Sequence, residues 1–222
     1  MATITPTGMR ALLNPYGRRY IGRKARTQRG EWLLRTFPDL GSMRVLDLGG
    51  VAAMWEAMPT IPAEVALLNS EVYPIPNDAR FSSLAGDACE PSDQLLGEDF
   101  DLVFSNSVIE HVGGHYRRAR FAKAVEALAP RHWIQTPNRY FPVEPHWLFP
   151  GFQFLPTAVK ARLFRVWHGQ FSDRPTSRRM GVEWVLDVEL LTKAEMAFYF
   201  PSSMIITERL VGLPKSLVAV KT

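Results

Sequence analysis

The chain has 222 residues, 46% hydrophobic and 22% charged, a balance that supports one sizeable core and excludes a disordered or fibrous polymer. Its single cysteine, Cys89, excludes an internal disulfide framework and a multi-cysteine zinc site, and suits a reducing compartment. The opening MATITPTGMR has no apolar signal core and no stretch nears the ~18 apolar residues of a membrane span, so a soluble, cytoplasmic protein is expected.

The net charge of +4 sits at one end. Arg10, Arg18, Arg19, Arg23, Lys24, Arg26, Arg29 and Arg35 face only Glu31 and Asp39 within residues 1–40, which leaves residues 41–222 slightly acidic. Residues 1–40 are expected to form a basic helical arm or lid, and residues 41–222 the main domain. Such an arm could meet nucleic acid, an anionic surface or an acidic substrate, or simply present a solvated face. No RNA-binding motif accompanies the charges, so nucleic acid is the less expected partner.

Taken in order, residues 8–36 predict one or two helices, broken near Asn14-Pro15-Tyr16-Gly17. Residues 43–48 predict a buried strand ending at Gly49-Gly50, and residues 52–58 a helix cut off by Pro59. Further strands are expected at 64–68, 82–85, 101–105 and 132–135, with a helix over 116–129 stopped by Pro130. Residues 137–156, with five prolines and many aromatics, read as a long ordered loop. Helices follow at 157–168 and 192–200. Strands at 203–211 and 216–221, joined by GLPK, form a closing antiparallel pair. The alternation over 43–136 predicts an α/β fold, a doubly wound parallel sheet with helices on both faces.

In such sheets ligands sit beyond the carboxyl ends of the strands. The first strand ends in RVLDLGG. Its glycines permit close backbone approach, but the further glycines of a diphosphate loop are missing. Asp47 is a poor partner for phosphate and a good one for an ammonium group, which S-adenosylmethionine carries. The next strand ends offer Asn69 and Glu71 for ribose hydroxyls, and Asp87 with the backbone of Ala88 for adenine. Ser105 and Asn106 fall beside the methionine part. Each residue alone is as well explained by a turn, a helix cap or a loop acid; their ordered succession carries the reading.

The stretches RVLDLGG, LLN, LAGDA, FDLVFSNSVIEHV, IQTPNRYFPVEPHW, LLTKAEMAFYFPSS and ERLVGLPKSLVAV resemble the class I S-adenosylmethionine-dependent methyltransferases, of the methyltransferase type 11 kind. They span roughly residues 43–220. The resemblance implies a Rossmann-like seven-stranded sheet with a reversed C-terminal hairpin, and cofactor contacts at Asp47, Gly49, Gly50, Asn69 and Asp87. Two departures stand out: Val51 and Ala53 replace glycines of the family's loop, and Asn69 replaces an acid. Glu71 could stand in for that acid.

The acceptor pocket is expected after the fourth and fifth strands, where His111, His115 and His146 cluster, with His132 and His168 further off. A histidine beside a carboxylate can serve as a general base, so His146 with Glu144 is the first candidate and His115 the second. Glu144, His146, Glu110 and His111 could also gather a divalent metal, magnesium being the expected ion. Tyr140 and Trp147 flank the proposed base and suit a sugar ring, a phenol or a lipid-linked head. Arg139, Arg178 and Arg179 could hold an acidic group. The expected activity is O-methylation of a small hydroxylated acceptor such as a sugar or glycan, with a homodimer possible. The alternatives are a phenolic or quinone-like acceptor, RNA modification, and a non-catalytic regulator that binds the cofactor.

Overall fold

The structure is a computed structural model that describes residues 23–167 and 175–222, with side chains from residue 28 onward in the first segment. The predicted break at Asn14-Pro15-Tyr16-Gly17, and His168, lie outside the described residues.

Five short strands build the parallel part of one sheet: β1 (Arg44–Leu48), β2 (Glu64–Asn69), β3 (Phe81–Ala85), β4 (Leu102–Asn106) and β5 (Arg131–Pro137). Two antiparallel strands, β8 (Met204–Leu210) and β9 (Leu213–Lys221), complete it in the order β3-β2-β1-β4-β5-β9-β8. The seven-stranded sheet with a reversed C-terminal hairpin is thus present. β1, β2 and β4 read as nearly continuous apolar runs because helices cover both their faces.

On one face, α1 (Arg23–Thr36) and α2 (Ala52–Glu56) press Leu33, Phe37 and Trp55 against Val45, Phe104 and Trp133. On the other, α4 (Gly114–Leu128) and α7 (Lys193–Tyr199) press Phe121, Val125, Met196 and Phe200 against Leu46, Val103 and Ile134. Thr192 and Glu195 close a capping box at the start of α7. α3 (Asp93–Leu96) is a single turn. Beside it a cleft of about 500 Å³ stays open along β2 and β3, between Ala66, Leu68, Leu84 and Phe100. Among the described residues, no helix is long and apolar enough to cross a membrane.

Several elements differ from the sequence expectation. The proline-rich stretch is not purely loop: β6 (Val143–Glu144) pairs with β7 (Phe149–Pro150), and a 3-10 turn follows at Phe152–Phe154. α5 (Thr157–Val166) is joined by α6 (Arg178–Leu186), which sequence periodicity did not suggest. Trp147, Phe152, Phe164 and Val185 form a small third core beneath these helices. The GLPK segment is no loop either. β9 begins at Leu213, and a two-residue turn, Val211-Gly212, makes the reversal.

That turn has positive φ at both central residues, 50° at Val211 and 78° at Gly212. It is the type that follows the natural strand twist and favours Asn-Gly. A β-branched residue held there is strained, by about 1 kcal/mol or more. Val211 is 93% exposed, so no packing is lost on replacement. Val211→Asn should therefore raise the melting temperature by ~2–4 °C, measured by calorimetry. A lowered value would show that the valine is favourable where it stands.

Candidate active site

The end of β1 is organised by one buried acid. Asp47 is fully buried, with Oδ2 accepting from the Trp55 indole N–H at 2.8 Å. Its Oδ1 has no hydrogen-bond partner. Burial pushes the carboxyl up to about 7, against the pull of the Trp55 bond. The chain passes so closely over this carboxyl that a Cβ on Gly50 would lie 1.7 Å from Oδ2. Gly49 adopts φ 79°, and its Cβ would meet Val108 at 2.4 Å. Space thus excludes a side chain at both glycines, and at Gly49 the left-handed backbone favours glycine as well. Asn69 at the end of β2 donates its amide to Gly50 O at 2.9 Å and pins the turn.

The other predicted cofactor positions lie along the same edge. Glu71 is exposed just beyond β2. Asp87 is exposed after β3, its two oxygens both accepting from Arg117 Nη2, at 2.7 and 2.8 Å, and Oδ1 also accepting from Cys89 N. Ala88 is half-buried beside it. Ser105 is buried and donates to Leu48 O at 3.0 Å, which ties β4 to β1. Asn106 accepts from Arg29 of α1 at 2.6 Å, and the same guanidinium reaches Glu208 of β8 at 2.8 Å. Ser107, next in the chain, takes φ 62° and donates to Gln135. A non-glycine residue in that region marks a turn fixed by its surroundings.

Beyond the ends of β4 and β5 the structure assembles the titratable cluster. His146 Nδ1 lies 2.7 Å from Glu144 Oε1, while Glu144 Oε2 accepts from the His146 and Trp147 amides at 2.7 and 2.9 Å. Glu144 is therefore buried yet saturated with donors. Burial pulls the His146 imidazole down, but the hydrogen bond and charge of Glu144 outweigh it and leave the ring above its ordinary value. His146 Nε2 faces His111 Nε2 at 3.1 Å. Burial, with the charge of His146, lowers His111 to about 4, so it stands neutral. Glu110 accepts from Thr136 at 2.9 Å through Oε2, and its buried Oε1 has no partner. Burial raises Glu110 to about 7, against the charge of His146. One ligand atom each from Glu110, His111 and His146 lies within 4.8 Å of the others.

Not every candidate joins this group. His115 bonds the Tyr199 hydroxyl at 3.0 Å on α7, away from His146. Trp147 is buried against Phe152 and Phe164, so it forms the floor of the loop. Tyr140 is exposed and stacks on Phe154, and Arg139 is half-buried beside it. Sequence reasoning missed Trp55, Arg29, Thr136 and Arg117. Trp55 is eight residues from Asp47, a separation that no turn or helix period singles out.

No family model matches the chain, and no curated protein matches it in sequence. The narrower type 11 kinship therefore rests on the quoted motifs alone. Solved structures do match. Magnesium protoporphyrin IX methyltransferase from Synechocystis PCC 6803, with bound S-adenosylhomocysteine, has a TM-score of 0.53 at 12% identity, over 100% of this chain and 90% of that one. A putative S-adenosylmethionine-dependent methyltransferase from Listeria monocytogenes gives 0.52 at 12% identity, over 88% and 99%. The small RNA methyltransferase HEN1 gives 0.50 at 15% identity, but this chain covers only 24% of it. The chain thus has the fold of the class I S-adenosylmethionine-dependent methyltransferases.

Asp47 offers a test of this geometry. Its folded carboxyl binds protons more tightly than the unfolded one, whose value is near 3.8. The stability this lends is complete below the unfolded value and is lost as pH rises through the folded value. Asp47→Asn keeps an acceptor for Trp55 and does not titrate. Between about pH 4 and about pH 8 the native chain should lose a few kcal/mol relative to the variant in urea unfolding. A constant difference across that range would mean that the carboxyl titrates normally.

Proposed function

We propose that the chain is a methyltransferase that moves a methyl group from S-adenosylmethionine to a hydroxyl of a small acceptor, a sugar or glycan first among them. The observation that carries this reading is the Glu144–His146 pair, set beside Glu110 and His111 just beyond the strand ends. A cofactor site along β1, β2 and β3 fits the residues present. The turn at Gly49-Gly50 leaves no room for side chains, and Asp47 Oδ1 lacks a partner. Gly49, Gly50, Asn69, Glu71, Asp87, Ala88, Ser105 and Asn106 would hold the cofactor, with Asp47 beneath them. When bound, S-adenosylmethionine supplies a methyl group activated by its sulfonium.

The chain's own task is to align the acceptor and remove its proton. Glu144 holds the Nδ1–H of His146, which leaves Nε2 to accept the hydroxyl proton. The carboxylate then stabilises the imidazolium that forms. Neutral His111 faces the same Nε2 at 3.1 Å, the position that an acceptor hydroxyl would take. Tyr140 and Arg139, on the same stretch after β5 as Glu144 and His146, would suit a polar ring with an anionic substituent. A half-buried cation beside an exposed aromatic fits a sugar acid as well as a neutral sugar. A cytoplasmic setting accords with the single, buried Cys89.

A second reading gives His146 Nε2 another role. Glu110, His111 and His146 offer one carboxylate and two imidazoles, and the orphaned Glu110 Oε1 fits a cation ligand. This donor set accepts magnesium only with several waters, and suits manganese, cobalt or zinc better. A cation there would lower the pKa of a hydroxyl bound to it. Glu144 would then orient a ligand instead of a base.

With an accepted sugar, His146→Ala should lower kcat by roughly 10²–10⁴-fold, and Glu144→Gln by less, while the affinity for S-adenosylhomocysteine stays unchanged. Loss of that affinity instead would make His146 a structural residue. Chelation separates the two readings. Activity that survives EDTA and falls with protonation of His146 assigns Nε2 to the proton, whereas activity lost to EDTA and restored by manganese assigns it to a cation.

A further inference from the structure

Away from the strand ends, α5 and α6 pack side by side and enclose a cleft of about 240 Å³ on their outer side. Among the described residues its lining is Ala158, Ala161, Arg162, Arg165 and Arg178, with no carboxylate. The volume is more than ten times the ~10–15 Å³ that one water needs.

The local sequence explains why three arginines meet here. Arg162 and Arg165 are three apart on α5 and so share a face, opposite the buried Phe164. Small residues at the helix contact let α6 approach closely. A Cβ on Gly181 would already stand 3.4 Å from Ala161 O. This brings Arg178, the first residue of α6, across to the α5 pair. Ser177 caps the helix by accepting from Met180 N, while the amides of Arg178 and Arg179 have no backbone partner among the described residues. The positive end of α6 thus lies at the cleft that the three arginines line. Among the described residues, none of the three arginines has an ion-pair partner. The neighbouring Arg179 does, bonding Glu183 at 2.7 Å.

Three like charges gathered round a cleft repel one another unless an anion joins them. Guanidinium groups match phosphate oxygens in pairs, as a fork meets a fork. We infer that Arg162, Arg165 and Arg178 form a phosphate-binding site, distinct from the candidate active site. The phosphate comes from one of two sources: a soluble phosphate or diphosphate group on the acceptor, or the headgroup of an anionic lipid. Val159 and Val166, 41% and 63% exposed on the same helix, would lie against the bilayer in the second case.

Two probes test this on the full chain: inorganic pyrophosphate by titration calorimetry, and vesicles of phosphatidylcholine with or without phosphatidylglycerol by co-sedimentation. All three side chains are exposed, so Arg162→Ala/Arg165→Ala and Arg178→Ala should melt at the native temperature. Saturable pyrophosphate binding that weakens roughly tenfold or more in these variants, but not in Arg179→Ala, supports the site and a soluble source. Sedimentation only with phosphatidylglycerol, with the same dependence, supports a lipid source. Binding of neither probe, or equal loss with Arg179→Ala, overturns the proposal. Neither arm needs S-adenosylmethionine, so the result stands apart from the methyltransferase reading.

Discussion

A carboxyl group sealed beneath a turn governs the cofactor end of this molecule. Asp47 lies two residues from Val45 on β1 and therefore shares its face, the α1 and α2 side of the sheet, where the Trp55 indole is its one hydrogen-bond partner among the described residues. To satisfy that bond the chain must fold back over the acid, and the fold-back leaves no volume for side chains at residues 49 and 50. Asn69 then locks the turn from the neighbouring strand. The arrangement costs stability once the acid ionises, since one oxygen has no partner. Such a cost persists only where the surrounding structure fixes it, and here a strand, a helix and two glycines all do so.

The second organising theme is how buried carboxylates are treated. Glu144 is given three partners inside the protein, two amides and an imidazole, so both its oxygens are bonded. Glu110, as deeply buried, is given one, and its carboxyl is pushed toward neutrality. Two acids a few ångströms from the same histidine are thus held differently, one with both oxygens bonded and one with a bare oxygen. A bonded carboxylate that orients the imidazole suits acid–base chemistry, and the same pair also describes a ligand awaiting a cation and a carboxylate that orients one. Both uses draw on one geometry, set by the loops after adjacent strands.

Much of this was legible in the sequence, for reasons particular residues show. RVLDLGG, VALL and LVFS are short apolar runs that only buried strands explain, and their order implies the parallel sheet. β9 was read too short because Pro214 looks like a turn residue. It sits at a β-bulge, opposite Arg209, where the regular ladder is interrupted. α6 was missed because RRMGVEWVL starts with two arginines and holds an interior glycine; its one signal was Ser177 as a cap. Sequence favours His115 over His111 as the second candidate base, although the two are only four residues apart. The backbone separates them at Gly113 and Gly114, both with positive φ, after which α4 carries His115 toward α7. The approach of His111 to His146 spans 35 residues and exists only because β4 and β5 are neighbours.

The basic segment at the start of the chain gains its meaning from one residue. A solvated face would leave its arginines in water, yet Arg29 reaches in to Asn106 and Glu208. Its Nε is buried with no partner among the described residues. Glu208 is shared with Lys215, and the charges of Arg29 and Lys215 hold its carboxyl below the usual range despite burial. A charge taken this far from water is held by its partners, and removal of either one strands the other. The contact joins the first described helix to the sheet's edge strand directly over the end of β4. α1 is therefore tied to the strand end where Asn106 stands, and any ligand that engages Asn106 must compete with Arg29 or bind beside it. The charge excess near the N-terminus is thereby coupled to the candidate site through a single guanidinium, a link that net charge alone did not reveal.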